Sequence, residues 1–496
     1  MTGKPTWARW LRIDLRPFGT SRDFRVLFAS RTITLVGSQA TEVALLVQAR
    51  QLTGSAVDVG LLGAAELVPL VLFGLYGGML ADRLDRRLLA RWSEAGLGVL
   101  AALLAYNAAL PRPAVWPLYA LAAATMALAA LQRPSLDASV PRIVPRDQLA
   151  AASALLSLSG NASMIVGFAA GGALAAGLGP APVYAADAVS FAVSFALLGL
   201  LRPLPARQPQ SAGRRAGRAG RAGVLPGLRY ALGRPELVGS YLADLAAMTL
   251  AYPGSLFPFM AAQLHAPWSV GLMFSASSAG AMAASALSGW AGRVRRHGVA
   301  IAVSAAAWGA AIAGFGLAPG VGAALACLVV AGAADMLSGV FRDTLWNQTI
   351  PDALRGRLAG VEVLSYGLGP SAGQLRAGAV AAVSTPRISL CSGGLLCVVA
   401  VGVICAALPG FRGYRAAADA TAPPGRGGLD RRGVATDPVH AEPAHHDRPG
   451  PAHLQDAHHD QQPAADLHDQ PGVSAGEAEA RHPLLEQDRH DQERHA

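Results

Sequence analysis

The chain has 496 residues, 52% of them hydrophobic and 15% charged, with 41 Lys+Arg against 32 Asp+Glu for a net charge of +9, and its mean hydropathy is +0.35. Soluble domains carry about 25% charged residues, so this balance excludes an ordinary soluble globule and points to a chain solvated by lipid. It excludes a basic nucleic-acid binder as well, because apolar runs this long leave no basic face, and Lys/Arg excess in a membrane protein follows from its orientation.

Residues 1–27 are basic and mixed in character, with no short apolar core followed by a small-residue cleavage site. They read as a cytoplasmic N-terminus, with the first span as its own insertion signal. A bilayer core takes about 20 apolar residues per helix. That ruler predicts spans over 28–49, 57–79, 88–110, 115–132, 152–177 and 182–201, a first six-helix bundle over 28–201.

Residues 202–237 are rich in Pro, Gly and Arg and cannot build a core, so they form a flexible cytoplasmic linker. A second bundle follows over 238–408, with spans at 238–262, 268–290, 298–318, 321–341, 358–383 and 386–408. The fold class is therefore all-α membrane protein, twelve transmembrane helices in two pseudo-symmetric six-helix bundles. Pro253 and Pro258 interrupt the seventh span in YPGSLFPF, and broken helices line cavities. Cys327, Cys391, Cys397 and Cys405 fall in apolar runs as free thiols, with neither disulfide nor metal spacing. Residues 409–496 hold ten of the twelve histidines among Asp, Gln and Pro, the composition of a disordered cytoplasmic tail with no fixed metal-ligand geometry.

Lys and Arg crowd the N-terminus, the linker and the even-numbered connections, whereas the odd-numbered connections hold only Arg50, Arg112 and Arg387. Positive residues stay inside, which places both termini in the cytoplasm. Laying the second six on the first with a shift of 206 residues puts Asp137 on Asp343, Pro145 on Pro351, Gly167 on Gly373 and Gly172 on Gly378. Parallel halves of this kind mark a large class of transporters.

The stretch GGMLADRLDRRLLARW, from Gly77 to Trp92, packs acids and arginines into the turn between spans two and three. Arginines alone would satisfy the orientation rule, so the aspartates suggest a latch that forms in one conformation and breaks in another. In Gly78, Leu80, Ala81, Asp82, Arg83, Arg86 and Arg87 the turn resembles the G-x-L-A-D-R-x-G-R-R/K pattern of the major facilitator superfamily, with Asp85 in place of the second glycine. RQLTGSAVDVGLL, RPSLDASVPRIVPRDQLAAASAL and QTIPDALRGRLAG are similar to the branch that holds enterobactin exporters and related bacterial drug and siderophore efflux proteins. The resemblance spans about residues 20–410. It implies a cytoplasmic gate at Gly78, Asp82, Arg83, Arg86 and Arg87, and export as the direction. Phe168 stands where the antiporter signature of the fifth helix has proline, and the fourth helix lacks the arginine tied to proton coupling.

A charge at mid-membrane depth costs about 2.5–3.5 kcal/mol on the lenient insertion scale, so each one there is a candidate for function. Glu66, three residues before Pro69, and Glu42, beside Gln39 and Thr41, are expected on the substrate and proton pathway. Asp244 and Asp335 are expected there too, or paired with a loop arginine. Asp187 and Glu362 are further candidates, and Arg376 is a possible counter-ion. Tyr76, Tyr241, Tyr252, Phe257, Phe259 and Trp268 read as an apolar wall or as ordinary packing. Gly167, Gly171 and Gly172, with Gly373 and Gly378, put small residues on one helix face for close packing, and as a hinge for rocking.

These features predict a proton-coupled exporter of an amphipathic small molecule such as a siderophore or antibiotic, monomeric in the bacterial inner membrane. Substrate and bilayer are its partners, with no nucleic acid, no metal and no cofactor beyond the proton gradient. No G-x-x-x-x-G-K-[ST] motif is present for an ATP-driven pump, and scattered acids without a nucleophile and base pair do not make an enzyme. An importer or facilitator on the same fold is the first alternative. A membrane sensor or scaffold working through the His-rich tail is the second.

Overall fold

The computed structural model describes residues 14–83, 86–137, 139–202 and 225–415, and within them the chain is helical with no strand. The first six long helices are α1 Arg22–Thr53, α2 Ala56–Arg83, α3 Arg86–Ala109, α4 Trp116–Asp137, α5 Leu149–Leu178 and α6 Pro180–Gly199. The second six are α7 Pro235–Ala251, α8 Val270–Ala286, α9 His297–Leu317, α10 Val321–Thr349, α11 Asp352–Val383 and α12 Pro386–Ala407. Several run past the expected spans, because a helix continues beyond the hydrocarbon core wherever its caps lie.

The caps are local chemistry. Ser21 is extended, and its hydroxyl accepts the Phe24 N–H at 3.1 Å to start α1. Gly54 ends it at φ 64°, where a side chain would be strained, and returns its N–H to the Arg50 carbonyl at 2.8 Å. Thr385 starts α12 by accepting the Ile388 N–H at 3.2 Å, with Pro386 at the first helical position.

The seventh span breaks as its prolines require. Pro253 has no N–H to give the Thr249 carbonyl, so α7 stops at Ala251, turns through a short 3₁₀ segment at Gly254–Leu256 and resumes as the helix Phe257–Gln263.

Among the described residues eight stretches are long and apolar enough to cross a bilayer: Ala56–Phe73 of α2, then α3, α5, α6, α7 with its continuation, α9, α10 and α12. α8 falls short at 17 residues, and α4 is diluted by Trp116, Pro117, Tyr119, Gln132 and Arg133. In α1 and α11 the dilution comes from Gln39, Glu42 and Gln48, and from Gln374 and Arg376. The polar residues that lower the hydropathy of α1 include a candidate for function.

Packing repeats between the sixes. In the first, α1 lies against α5 and α6, α2 against α4, and α3 against α4 and α6. In the second, α7 lies against α11 and α12, α8 against α10, and α9 against α10 and α12. The sixes meet along α2 with α11 and along α5 with α8, two interfaces that exchange when one half is laid on the other. α1 begins and α12 ends at the same end of the bundle, called here the terminal end; the opposite end is distal. Past α12 a one-turn helix, Pro409–Gly413, plugs the terminal end of the second six, with Phe411 fully buried against Gly239 and Gly298.

Candidate functional site

Acids from both sixes converge on the break in the seventh span. Glu42 of α1 is exposed and Glu66 of α2 half-buried, and the two carboxylates act on each other electrostatically. Both act on the hydroxyl of Tyr252, the residue after α7 stops, and so does Asp335 from the middle of α10. Pro69 leaves the Ala65 carbonyl without its helical donor next to Glu66. The three carboxylates, drawn from α1, α2 and α10, thus lie within electrostatic reach of one phenol at the break in the seventh span.

Asp244 lies elsewhere. It is ion-paired with Arg342 of α10, each side chain 3% exposed, in the terminal half of the second six. Arg342 stands over the Trp346 ring at 5.7 Å, Trp346 stacks on Tyr241 with ring centroids 4.6 Å apart, and its indole N–H donates to Ser240 Oγ at 2.9 Å. Asp335, two turns before Arg342 on the same helix, acts electrostatically on the pair, which links it to the acids around Tyr252. The arginine that meets Asp244 is therefore inside the tenth helix and not in a loop. Ending that span at residue 341 hid it, since α10 continues to Thr349.

Arg376 is no counter-ion to these acids: its Nη1 donates to the Ser389 carbonyl at 3.2 Å and its guanidinium lies against Gly393. The aromatic residues do not form one wall. Phe257 packs edge-on to Phe274 at 4.6 Å and Phe315 at 5.6 Å, Trp268 is 54% exposed, and Tyr76 lies outside the described side chains.

The small residues sit at crossings. Gly167 of α5 lies against the Val36 carbonyl and Gln39 of α1, and Gly171 against Ala40. Its counterpart Gly373 of α11 lies against the Met248 carbonyl and Tyr252, the same pairing in the second half. Gly172 and its counterpart Gly378 instead bridge the sixes, the first against the Gly271 backbone of α8 and the second against the Ala56 carbonyl of α2. Around them the distal ends of the halves close: Ser275 Oγ donates to the Ile165 carbonyl at 2.8 Å, Phe168 meets Phe274 at 4.9 Å, and Arg50 lies over the Phe259 ring at 5.2 Å.

At the terminal end the side chains of Gly78, Asp82, Arg83, Arg86 and Glu362 lie outside the described residues. Arg87 donates from Nε to the Leu198 carbonyl at 3.2 Å and from Nη2 to the Gly199 carbonyl, neutralising the C-terminus of α6. Sequence reasoning passed over Glu94 of α3, buried with 1% exposure; an acid seven residues inside a predicted span was the available signal.

Two pseudo-equivalent sixes, closed on each other at one end around a polar centre, define a membrane transporter. The model of the Major Facilitator Superfamily matches residues 27–374, and the chain belongs to that family. It is 30% identical over 405 residues to the enterobactin exporter EntS of Citrobacter koseri (strain ATCC BAA-895 / CDC 4225-83 / SGSC4696), covering 80% of this chain and 93% of that one. To the enterobactin exporter EntS of Escherichia coli O139:H28 (strain E24377A / ETEC) it is 29% identical over 410 residues, with the same coverage of 80% and 93%. The nucleoside transporter NupG shares the fold with a TM-score of 0.62 at 13% identity, over 79% of this chain and 100% of that one. A bacterial homolog of the human lysosomal transporter Spinster, inward-facing and unoccupied, does so with a TM-score of 0.60 at 15% identity, over 79% and 97%.

Proposed function

We propose that the chain exports amphipathic small molecules, siderophores and related secondary metabolites among them, by alternating access driven by proton entry. The observation that carries this reading is the convergence of Glu42, Glu66 and Asp335 on Tyr252 between the two sixes. Carboxylates at that depth are kept where they exchange a proton or meet a substrate. The enterobactin exporters among the relatives support both the direction and the substrate class. The transporter acts as a monomer in the bacterial inner membrane without a nucleic-acid partner, its termini on the cytoplasmic side by the distribution of Lys and Arg. It draws on the proton gradient and on no bound cofactor. The distal end is then periplasmic, and the distal contacts belong to a state closed toward the periplasm.

Everted vesicles test the reading with a panel of catecholate siderophores and amphipathic antibiotics, with and without a pH gradient, using the intact chain and Glu66→Gln. Gradient-dependent accumulation that is lost in the variant supports it. Accumulation unchanged in Glu66→Gln removes that acid from the mechanism, and the absence of any gradient-dependent accumulation overturns proton-driven export.

A further inference from the structure

Inside the first six, away from the space around Tyr252, two more acids are shut off from solvent. Glu94 of α3 is 1% exposed and Asp187 of α6 is 2% exposed. Asp187 is held by neutral donors, Thr41 Oγ1 to Oδ2 at 2.7 Å and Ser190 Oγ to Oδ1 at 3.1 Å. Gly37 makes the room, since a Cβ there would run into the Asp187 carboxylate and the Ser190 hydroxyl. Glu94 is flanked by Ser194 of α6 and Gln132 of α4, and Ser194 Oγ lies 2.6 Å from Ser30 Oγ of α1. Four helices thus turn hydroxyls, an amide and a carboxylate toward one another.

The bases around this group are engaged elsewhere. Arg87 donates to the end of α6, Arg91 lies over the Phe195 ring at 4.2 Å with its Nε buried and without a hydrogen-bond partner, Arg31 of α1 pairs with Asp137 of α4 at 2.9 Å, and Arg133 is exposed. The charged group that acts on Glu94 is a second acid, Asp187. Among the described residues no ion pair reaches either carboxylate. Two polar atoms at this place are buried without a hydrogen-bond partner, Glu94 Oε2 and Gln132 Nε2, in side chains that are 1% and 9% exposed.

Buried polar groups are satisfied, and buried charge is compensated. Two neighbouring carboxylates that no described ion pair reaches, one of them with an unpartnered oxygen, lack one positive charge. We propose that α1, α3, α4 and α6 enclose a monovalent-cation site at Glu94, taking a proton or a sodium ion, separate from the space lined by Glu42, Glu66 and Asp335. The ligand set is hard and oxygen-rich: the Glu94 carboxylate, the Gln132 carbonyl, and the Ser194 and Ser30 hydroxyls. The partner of Asp187, Thr41, is the residue before Glu42 on α1.

The test uses the full chain in lipid nanodiscs and reads binding directly, so it stands or falls apart from transport. In the sodium arm, the melting temperature is compared in sodium chloride and in choline chloride at equal ionic strength. In the proton arm, the stretch of a protonated carboxyl group is recorded by infrared spectroscopy in sodium-free buffer. The expected result is a sodium-specific rise in melting temperature or a protonated carboxyl band, lost in Glu94→Gln. Gln132→Leu keeps the acid and removes a ligand; it weakens the sodium response or shifts the band, and it decides the matter if Glu94→Gln does not fold. Absence of both signals in the intact chain, or a signal unchanged in the variants that fold, overturns the site.

Discussion

Asp244 of α7 and Arg342 of α10 neutralise each other inside the second six, each side chain 3% exposed. Removing one member of such a pair leaves an uncompensated charge in a place built for two. Asp244→Ala is expected to destabilise the protein by about 3–5 kcal/mol, whereas Asp244→Ala combined with Arg342→Met recovers most of that loss. Thermal melts in detergent check this. Equal losses in the single and double variants would show that the pair does not act as a unit.

The glycine crossings separate into two kinds, and their variants should behave differently. Gly167 and Gly373 pack helices within a half, so Gly167→Ala and Gly373→Ala lower thermal stability by about 1–3 kcal/mol. Gly172 and Gly378 pack one half on the other. Gly172→Ala and Gly378→Ala push the distal ends apart and raise thiol labelling of cysteines introduced near the distal interface, with a smaller loss of stability.

Arg50 of the first half over the Phe259 ring of the second, at 5.2 Å, is a contact that exists only while the distal ends are together. Such contacts contribute about 0.5–1 kcal/mol at exposed sites. Phe259→Leu is expected to shift the population about two- to fivefold toward the distally open state. The labelling rate of a distal cysteine reads that shift, and a rate equal to that of the parent would show that the contact has no part in closure.

Glu42 and Glu66 act on each other, so their variants should not combine independently. The initial rate of gradient-driven accumulation in Glu42→Gln with Glu66→Gln is expected to exceed the product of the two single effects, because neighbours couple by about 0.5–3 kcal/mol. A double-mutant cycle on vesicle uptake measures the coupling, and strict multiplication of the two losses argues against a shared site.

Much of the fold was legible because lipid imposes so few solutions. Apolar runs marked the helices, Pro253 and Pro258 marked the break in α7, and the shift that lays Gly172 on Gly378 marked two parallel halves. Glu42, Glu66, Asp187, Asp244 and Asp335 were visible as residues out of place, since a carboxylate in an apolar run is conspicuous. What they touch was not visible. Arg342 sits one residue past the predicted end of its span, a boundary that depends on where the helix is capped and not on hydropathy. Glu94 was passed over because its place depends on Ser194 and Gln132 from two other helices, and polar residues scattered among alanines carry no periodic signal. The aromatic residues dispersed because each answered to its nearest neighbours, Tyr241 to Trp346 and Phe257 to Phe274 and Phe315.

The distal closure at Gly172 and Gly378 is made by main chain against main chain. At these two points no side-chain rotation can loosen the seam, while Phe168, Phe274, Ser275, Arg50 and Phe259 close the rest of the distal end. A gap of a few tenths of an ångström forfeits the dispersion contacts at once, and a wider one requires the whole half to move. Paired seams of this construction favour all-or-none opening, which leaves no half-open path for solutes to leak through between strokes.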